Sequence, residues 1–401
     1  MKRPLARRRE PFLSGTKALS STLHRRSVLW TGLDYNLPTF CMADFASSWP
    51  IGSSQMGSGT AVATLGSPGT PLSPGRPLFC FLRWFFWDRA IQLGGVLMSR
   101  RVRLIFNAHA HRGRAWETAS VLRAIVQRFP EAEWAPTEYP SHATELAEQA
   151  AREGYDVVAA LGGDGTAHEV INGLMKHPAD SRPLLGVVPI GSGNDFSVCI
   201  GVQNEIEVAI QRVFTGTPRW IDLGLVTDGS GRSEFFGNAL GIGFDANVTF
   251  HSYQITFLQG FSMYLWAVIQ TIILNHEAPR MKITIDGETI EREVMMLVLS
   301  NGPREGGGFI VAPEARPDDG ALDYAMIQKV SRPMMFRLIP EVMKGTHGRF
   351  PSVRLGTFHN LELQSDRPMT IHIDGEMYAG FTSDVVSLKA KVLPKAMQVI
   401  V

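Results

Sequence analysis

Residues 161–174 read LGGDGTAHEVINGL, a glycine-rich turn between an apolar run and a helix-forming stretch. The start of that helix offers free backbone N–H groups, and glycine lets a phosphate approach the main chain closely. Asp164 fits beside phosphates if Mg²⁺ lies between them, because a bare carboxylate would repel a triphosphate. Tight packing alone would explain an isolated turn of this kind equally well. The glycines concerned are Gly162, Gly163 and Gly165.

Strand-like and helix-like segments alternate around this turn. The strand candidates are apolar runs, and the helix candidates lie between them. This rhythm predicts a βαβ sheet with helices on its faces. The segments are RLIFNA (103–108), helices through 116–129 and 144–153, DVVAALGG (156–163), a helix through 167–175 and LLGVVPIG (184–191).

A second glycine loop follows about 30 residues later, in VVPIGSGNDFSVCIG at 187–201. Ser192, Asn194 and Asp195 supply its polar groups. Loops at the carboxyl ends of neighbouring parallel strands converge on one crevice, so both loops are expected at a single site. Helix capping would account for the Asn-Asp pair. It would not explain why two loops have the same order of strand, glycine-rich turn and helix. No GxxxxGK[ST] sequence is present, which excludes a Walker-type P-loop.

From about Arg219 onward short strand candidates dominate, separated by Gly, Pro, Asn and Asp, and they predict a second, β-rich domain. One long apolar element, 255–274, carries no charged residue and approaches the length of a membrane span. A single span would place the two halves of one β-rich domain on opposite sides of a membrane. We therefore expect a helix of a soluble domain here.

Two acidic turns lie in the β-rich part. APEARPDDGALDY (312–324) places Asp318 and Asp319 in an oxygen-rich turn of the kind that hard cations prefer, although a plain Asp-Gly turn explains it as well. IHIDGEMY (371–378) carries Asp374 and Glu376 around one glycine. Paired carboxylates in a cleft can shift each other's pKa and leave one as a general base; the alternative is an ordinary hairpin turn.

Charge is distributed unevenly along the 401 residues. Residues 1–97 hold 11 basic and 4 acidic residues, which leaves 28 of the 39 basic and 34 of the 38 acidic residues for the remainder. An acidic body argues against a nucleic-acid partner, which would require a basic surface. The three cysteines show no CxxC spacing and indicate neither a disulfide framework nor a zinc site.

The first 97 residues differ in composition from the rest. They are rich in Ser, Gly, Pro and Thr and lack a sustained period, which predicts a disordered extension. Gly94-Gly95 is what a purine-rich ribosome-binding site just upstream of Met98 would encode. We therefore expect Met98 to be the true start and residues 1–97 to be a leader that the native protein lacks.

In order and spacing these motifs resemble the diacylglycerol kinase catalytic family, which includes bacterial diacylglycerol kinases, phosphatidylglycerol-kinase-like proteins and sphingosine kinases. GGDGT also occurs in NAD kinases, but its combination with PIGSGNDF, GNALGIGFDA, PEARPDDGALD and IDGE is specific. The resemblance runs from Arg103 to about Pro394. It implies an α/β domain like that of NAD kinases and phosphofructokinases, a C-terminal β-sandwich domain, and ATP in the cleft between them.

The resemblance also implies roles for individual residues. It places Mg²⁺ at the side chain of Asp319 with the carbonyls of Arg316 and Ala321, and it makes Glu376 and Asp374 the catalytic acids, with Glu376 favoured as the base. The nucleotide contacts that it implies, taken with the second loop, are Asn107, Thr137, Gly162, Gly163, Asp164, Gly165, Thr166, Ser192, Asn194 and Asp195.

Three positions depart from the family pattern. Ala108 stands where the family has Pro, His168 where it has Asn, and Ser192 where it has Thr. None removes an acid, so activity is expected to be retained. An imidazole at His168 could titrate near neutrality.

The expected organisation is an extension (1–97), a nucleotide-binding α/β domain (98–218), a β-rich lipid-substrate domain (219–390) and a terminal strand or tail (391–401). The expected function is ATP- and Mg²⁺-dependent phosphorylation of a lipid hydroxyl, with diacylglycerol giving phosphatidic acid. The alternatives are an NAD-kinase-like small-molecule kinase and a non-catalytic nucleotide- or lipid-binding regulator. We expect a cytoplasmic protein with peripheral contact to the inner membrane surface; a homodimer is left open.

Overall fold

A four-stranded parallel sheet forms the centre of the N-terminal domain. The computed structural model describes residues 100–110, 115–202 and 205–401, so the expected leader lies outside the described residues. Neighbouring strands are ordered β2-β1-β3-β4. Both faces of β3 are buried, which is why its sequence is a continuous apolar run. The strands are β1 Val102–Phe106, β2 Ala132–Pro136, β3 Val157–Gly162 and β4 Leu184–Pro189.

Helices of this domain pack closely through small residues. A Cβ added at Gly173 of α3 would lie 2.8 Å from the Cβ of Ala147 on α2, so the two helices meet through a glycine and an alanine. Glu169 of α3 accepts hydrogen bonds from the backbone N–H groups of Ser141 and Ala143, which satisfies otherwise free donors at the start of α2. The helices are α1 Ala115–Val126, α2 His142–Arg152, α3 Asp164–Leu174, α4 Asp195–Cys199 and α5 Ile206–Thr215.

Two long antiparallel strands run through both domains. Strand β5, Pro218–Asp228, pairs with β15, Ser387–Ile400, and Val399 of β15 also pairs in parallel with Leu185 of β4. Their N-terminal-domain ends contribute to the core around the parallel sheet, and their other ends contribute to the second core. The two cores are therefore joined by a shared ladder as well as by chain connections.

The C-terminal domain is a β-sandwich. Strand β9 belongs to both of its layers, because its first half pairs with β8 and its second half pairs with β7 and β10. One layer has the order β8-β12-β15-β5-β6 and the other β14-β13-β7-β9-β10-β11. Its strands are β6 Ser233–Phe236, β7 Ala239–Gly243, β8 Arg280–Ile285, β9 Glu288–Ser300, β10 Leu322–Gln328, β11 Val353–Phe358, β12 Asn360–Ser365, β13 Ile371–Ile373 and β14 Glu376–Ala379.

Three helices cover the outer face of the β7-β9-β10 layer, namely α6 Phe244–Gln254, α7 Gly260–Leu274 and α8 Arg332–Met343, followed by a 3₁₀ turn at His347–Arg349. The prediction of an α/β domain followed by a β-rich domain is confirmed. The apolar element expected over 255–274 is helical only from Gly260, at 15 residues. Within the described part of the chain no helix is long and apolar enough to cross a bilayer.

Gly224 offers a test of how tightly the sandwich is packed. A Cβ added there would overlap the ring of Phe236, which is fully buried. Gly224→Ala should therefore destabilise the protein by about 1–3 kcal/mol through overpacking, measured as a lower Tm. Gly380→Ala is the matched control, because an added Cβ at Gly380 has open space. Equal melting of the two variants would contradict this description of the core.

Candidate active site

The two glycine loops predicted from sequence meet. A Cβ added at Gly191 would overlap the Cα of Gly163, so only glycine fits at that position of the crossing. Gly163 precedes α3 and no side chain caps that helix, which leaves its first N–H groups available to an anion. In the second loop Asn194 adopts φ 54°, and its side chain binds back to both backbone groups of Gly191.

Two carboxylates face each other beside these loops. A Cβ added at Gly193 would lie 3.0 Å from Oδ2 of Asp164 and 3.1 Å from Oδ2 of Asp195. Oδ1 of Asp164 accepts the N–H of Phe196, whereas Asp195 is held by Arg304 Nε at 2.7 Å and by the N–H of Gly307. Burial raises the pKa of Asp164 to about 7, and the charges of Asp195 and Asp374 act in the same direction. Two opposed carboxylates of this kind suit a divalent cation.

Asn107 and Thr137 line the same edge of the sheet. The side-chain amide of Asn107 donates to Oγ1 of Thr166 at 3.0 Å, and the N–H of Thr137 donates to the carbonyl of Phe106. Thr166 itself leaves room only for glycine at position 162. The residues expected at the nucleotide site are thus brought together by the structure at the carboxyl ends of β1, β2, β3 and β4.

The carboxylate of Asp374 is fully hydrogen-bonded and holds the neighbouring backbone in place. Its carboxylate accepts hydrogen bonds from the backbone N–H groups of Gly237, Asn238 and Ala239 at 2.8–2.9 Å. His168 Nδ1 lies 3.1 Å from its Oδ2. A carboxylate has about four lone-pair positions, and four donors occupy those of Asp374. Little capacity remains for taking a proton from a substrate.

Glu376 occupies the position above the first glycine loop. A Cβ added at Gly165 would overlap its Oε1. Its contact with Tyr253 is long, 3.4 Å from the phenol oxygen to Oε2, so the carboxylate stays available. The low-dielectric surroundings raise the pKa of Glu376 although its side chain remains open to solvent, while the charge of His168 lowers it. A carboxylate with a raised pKa and free lone pairs is suited to general-base work.

His168 lies between two acids. Its Nδ1 faces Asp374, and its Nε2 lies 3.4 Å from Oε2 of Glu234. Burial opposes the charged form, but the hydrogen bonds to Asp374 and Glu234 prevail and raise the pKa of His168 to about 10. The residue that departs from the family pattern therefore stays charged near neutral pH beneath the turn at 374–376, so the expectation that it could titrate near neutrality is wrong.

The turn at 318–320, called the DDG turn below, is hydrogen-bonded to a strand that both domains share. The contact is made by a buried acid that the sequence analysis missed. Asp222 of β5 accepts the N–H of Gly320 at 2.6 Å and the N–H of Lys395 at 2.7 Å. Oδ1 of Asp319 accepts the N–H of Ala321, which leaves Oδ2 for another partner. Burial raises the pKa of nearby Asp323 to about 6, with the charges of Asp319 and Glu314 acting in the same direction. Acidic side chains that lie this close together suit the binding of a cation, which would offset their charge.

An apolar cavity lies beside the acids. It has a volume of about 110 Å³, and side chains of α6, α7, α8 and β9 form its wall, among them Val268, Met296 and Leu338. Asp164, Asp195 and Asp374 line its polar end. Sequence alone did not indicate this cavity, because its apolar lining reads as ordinary core.

The same cavity wall holds a polar cluster that sequence reasoning also missed: Asp245, Glu305 and His372. The ring Nε2 of His372 lies 2.7 Å from Oδ2 of Asp245 and 3.2 Å from Oε1 of Glu305. Asp245 belongs to the GNALGIGFDA motif and His372 to IHIDGEMY, which was the available signal. Nothing local connects these residues with Glu305.

Comparison with known proteins places this site in a family. Residues 101–226 match the diacylglycerol kinase catalytic domain, and residues 238–401 match the YegS C-terminal NAD kinase beta sandwich-like domain. A diacylglycerol kinase of Bacillus subtilis (strain 168) is 28% identical over 293 residues, covering 72% of this chain and 94% of that protein. One of Staphylococcus carnosus (strain TM300) is 25% identical over 298 residues, covering 73% and 94%.

Among solved structures, a diacylglycerol kinase from Bacillus anthracis str. Sterne superimposes with a TM-score of 0.57 at 21% identity, covering 75% of this chain and 96% of that one, and it shares the fold. The two matched domains together span most of the chain. The protein therefore belongs to the diacylglycerol kinase catalytic-domain family, and it is an enzyme of the lipid-kinase class.

The charge of His168 predicts a pH dependence of stability. Its folded-state pKa of about 10 exceeds the ordinary value of 6.5, so its contribution is complete below pH 6.5 and is lost as pH rises through 10. His168→Asn should flatten the fall in unfolding free energy across that window, measured by denaturant titration. His359→Asn, at an exposed histidine, is the control. Parallel stability curves for wild type and His168→Asn would contradict the assignment.

Proposed function

We propose that this protein transfers the γ-phosphoryl group of ATP to the hydroxyl of a membrane lipid. The observation that carries the proposal is the apolar cavity that ends at Asp164, Asp195 and Asp374, where the glycine loops meet. An amphipathic acceptor fits such a space with its hydrocarbon among apolar side chains and its hydroxyl toward the acids. Because the similar proteins are named diacylglycerol kinases, diacylglycerol is the first acceptor to test.

Glu376 is the proposed base. The acceptor oxygen attacks the γ-phosphorus, its proton passes to the carboxylate of Glu376, and the bond from phosphorus to the ADP oxygen breaks. The free lone pairs and raised pKa of Glu376 support this role, and the four donors on Asp374 support a positioning role for that residue. Phosphoryl transfer requires mainly alignment and charge stabilisation, so one base and a rigid frame suffice.

ATP is proposed to bind across the two loops. The glycine backbone and the uncapped start of α3 suit its phosphates. Asp164 and Asp195 would hold a Mg²⁺ ion, which when bound supplies neutralisation of phosphate charge. Asn107, Thr137, Thr166, Ser192 and Asn194 border the same edge of the sheet and complete the proposed nucleotide site.

A second Mg²⁺ is proposed at the DDG turn, on the side chain of Asp319 and the carbonyls of Arg316 and Ala321. The free Oδ2 of Asp319 and the crowding of Asp323 and Glu314 around it support the site. Its role would be structural, because Asp222 connects this turn to the strands shared by both domains.

Peripheral contact with a membrane is proposed around α7 and α8. Their outer faces expose Leu274 and Phe336, next to residues that line the cavity, and Phe257 before α7 is 71% exposed. Arg332 and Arg337 are also exposed on α8. Apolar side chains beside cations suit the interface of an anionic leaflet. A lipid could enter the cavity from there without crossing water.

The test is an assay of labelled phosphate transfer from ATP to vesicles of total lipid extract, with mass spectrometry of the products. A phosphorylated lipid that requires ATP and Mg²⁺ supports the proposal. Phosphorylation of NAD instead would support the NAD-kinase alternative, and ATP binding without turnover would support a regulator.

Glu376→Gln keeps the size of the side chain and removes its basicity. We expect kcat to fall by about 10²–10⁴ with little change in ATP affinity or Tm. Asp374→Asn is the contrasting variant: its amide would present N–H groups to backbone donors, so it should lower Tm as well. Retention of more than about a tenth of wild-type kcat by Glu376→Gln would remove Glu376 as the base.

Asp319→Ala tests the structural cation. Wild type should melt at a higher temperature with Mg²⁺ than with a chelator, because an ion that binds only the folded state stabilises it. The variant should lose this difference. Asp318→Ala, at the adjacent acid, is the control and should keep it. A wild-type Tm that does not respond to Mg²⁺ would contradict this site.

A further inference from the structure

Asp245, Glu305 and His372 form the polar cluster in the wall of the apolar cavity. Their ligand atoms all lie within 4.8 Å of one another. A Cβ added at Gly241 would overlap Asp245 Oδ2 and His372 Nε2, so the cluster requires glycine at that position of β7. His372 is 98% buried, and both carboxylate oxygens of Glu305 are enclosed. Polar groups are costly to bury among apolar side chains, and the partners of these three are one another, so the cluster offers the cavity a polar surface on which a ligand group can bind.

The cluster adjoins the reacting end of the cavity. His372 is separated from Asp374 by one residue of β13, and Arg304, beside Glu305, binds Asp195 of the second glycine loop. The phenol of Tyr264 lies within the electrostatic influence of Asp164, Asp195, Glu305 and Glu376. When the hydroxyl of a bound lipid reaches Glu376, the next polar group of that lipid therefore lies beside the cluster.

The protonation of the cluster determines what it can bind. Oε1 of Glu305 lies 3.2 Å from His372 Nε2, and burial together with the charge of Asp245 raises the pKa of Glu305 to about 8. Burial lowers the pKa of His372, but the charges of Asp245 and Glu305 outweigh this effect and raise the pKa to about 10. The ring Nε2 of His372 lies 2.7 Å from Oδ2 of Asp245. Asp245 also lines the cavity and keeps 16% of its side chain exposed, so its carboxylate can accept a further hydrogen bond.

A metal ion fits this arrangement less well. A histidine that binds a metal normally donates its other ring N–H to a carboxylate, carbonyl or water. Nδ1 of His372 is buried with no hydrogen-bond partner among the described residues.

We propose that Asp245, held in place by His372 and Glu305, accepts a hydrogen bond from a second free hydroxyl on the lipid acceptor. This rests on the proposed lipid kinase function and narrows the acceptor class to lipids with two neighbouring hydroxyls. Diacylglycerol lacks that feature, because the polar groups next to its hydroxyl are ester oxygens, which only accept. The site therefore favours a monoacyl or monoalkyl glycerol, or a lipid with a glycerol headgroup.

The test uses two lipids that differ in one hydroxyl: a monoalkyl glycerol, and the same lipid with its secondary hydroxyl methylated. Both are presented to the full-length enzyme in mixed micelles with Mg²⁺-ATP. Wild type should prefer the free diol by about 10- to 100-fold in kcat/KM, the range expected for one hydrogen bond to a charged group. Asp245→Asn replaces the charged acceptor with a weaker neutral amide oxygen and should lower that ratio several-fold.

The ratio of two substrates in one preparation is insensitive to partial loss of folded enzyme. If Asp245→Asn does not fold, Glu305→Gln gives the second reading and should also reduce the ratio. Met369→Leu, an apolar change in the sandwich core outside the cavity lining, is the control and should leave the ratio unchanged.

Equal kcat/KM for both lipids in wild type, or a wild-type ratio in Asp245→Asn, overturns the inference. Phosphorylation of diacylglycerol with no preference between the two ethers leaves the lipid kinase intact and removes only this inference. Absence of phosphorylation of any lipid, including total extract, removes the proposed function and this inference with it.

Discussion

The carboxylate of Asp374 is the contact on which the geometry of the cleft depends. It gathers three successive backbone N–H groups at 237–239 and the His168 ring, so it fixes the connection from β6 to β7 against α3. The turn that holds it has left-handed φ angles of 48° and 87° at Asp374 and Gly375. Glu376 follows at once and is thereby directed over Gly165. Loss of the Asp374 charge would leave buried N–H groups without an acceptor, so this part of the cleft depends on it.

A second constraint joins the domains. Because β5 and β15 contribute side chains to both cores, the two domains share a hydrogen-bonded ladder. The ladder shifts register after Leu393, at Pro394, which cannot donate. Asp222 is buried at this irregularity and satisfies the N–H groups of Lys395 and Gly320. The irregular residues of β15 and the DDG turn are thus secured by one acid.

The sequence predicted those features that local pattern determines. Continuous apolar runs identified β3 and β4, and the glycine loops after them were expected to meet, as Gly163 and Gly191 do. Helix α8 was not recognised, because Pro333 and Pro340 interrupt its pattern. Strand β2, whose burial alternates, was missed for lack of an apolar run.

The candidate site shows the same limit. The spacing within IDGE could not show which carboxylate is free to accept a proton and which is fully hydrogen-bonded. That difference depends on how many donors reach each carboxylate. The donors to Asp374 come from residues 135–206 positions away. His168 was expected to titrate near neutrality, but Glu234 and Asp374, remote in sequence, keep it charged. Nonlocal partners decide these properties, and periodicity carries no information about them.

The arrangement of charge along the cavity explains how two unlike substrates could share it. Burial raises the pKa of Asp164 and of Glu305, which lowers the negative charge at the two ends. At the glycine loops the facing carboxylates suit a cation accompanying a polyanion, whereas the raised pKa of Glu305 favours an uncharged polar group at the other end. Arg304 and Glu305 are adjacent, one holding Asp195 and the other facing Asp245. In the proposed reaction this short segment would lie between the phosphate donor and the polar head of the lipid, because Arg304 binds the second glycine loop and Glu305 lines the cavity.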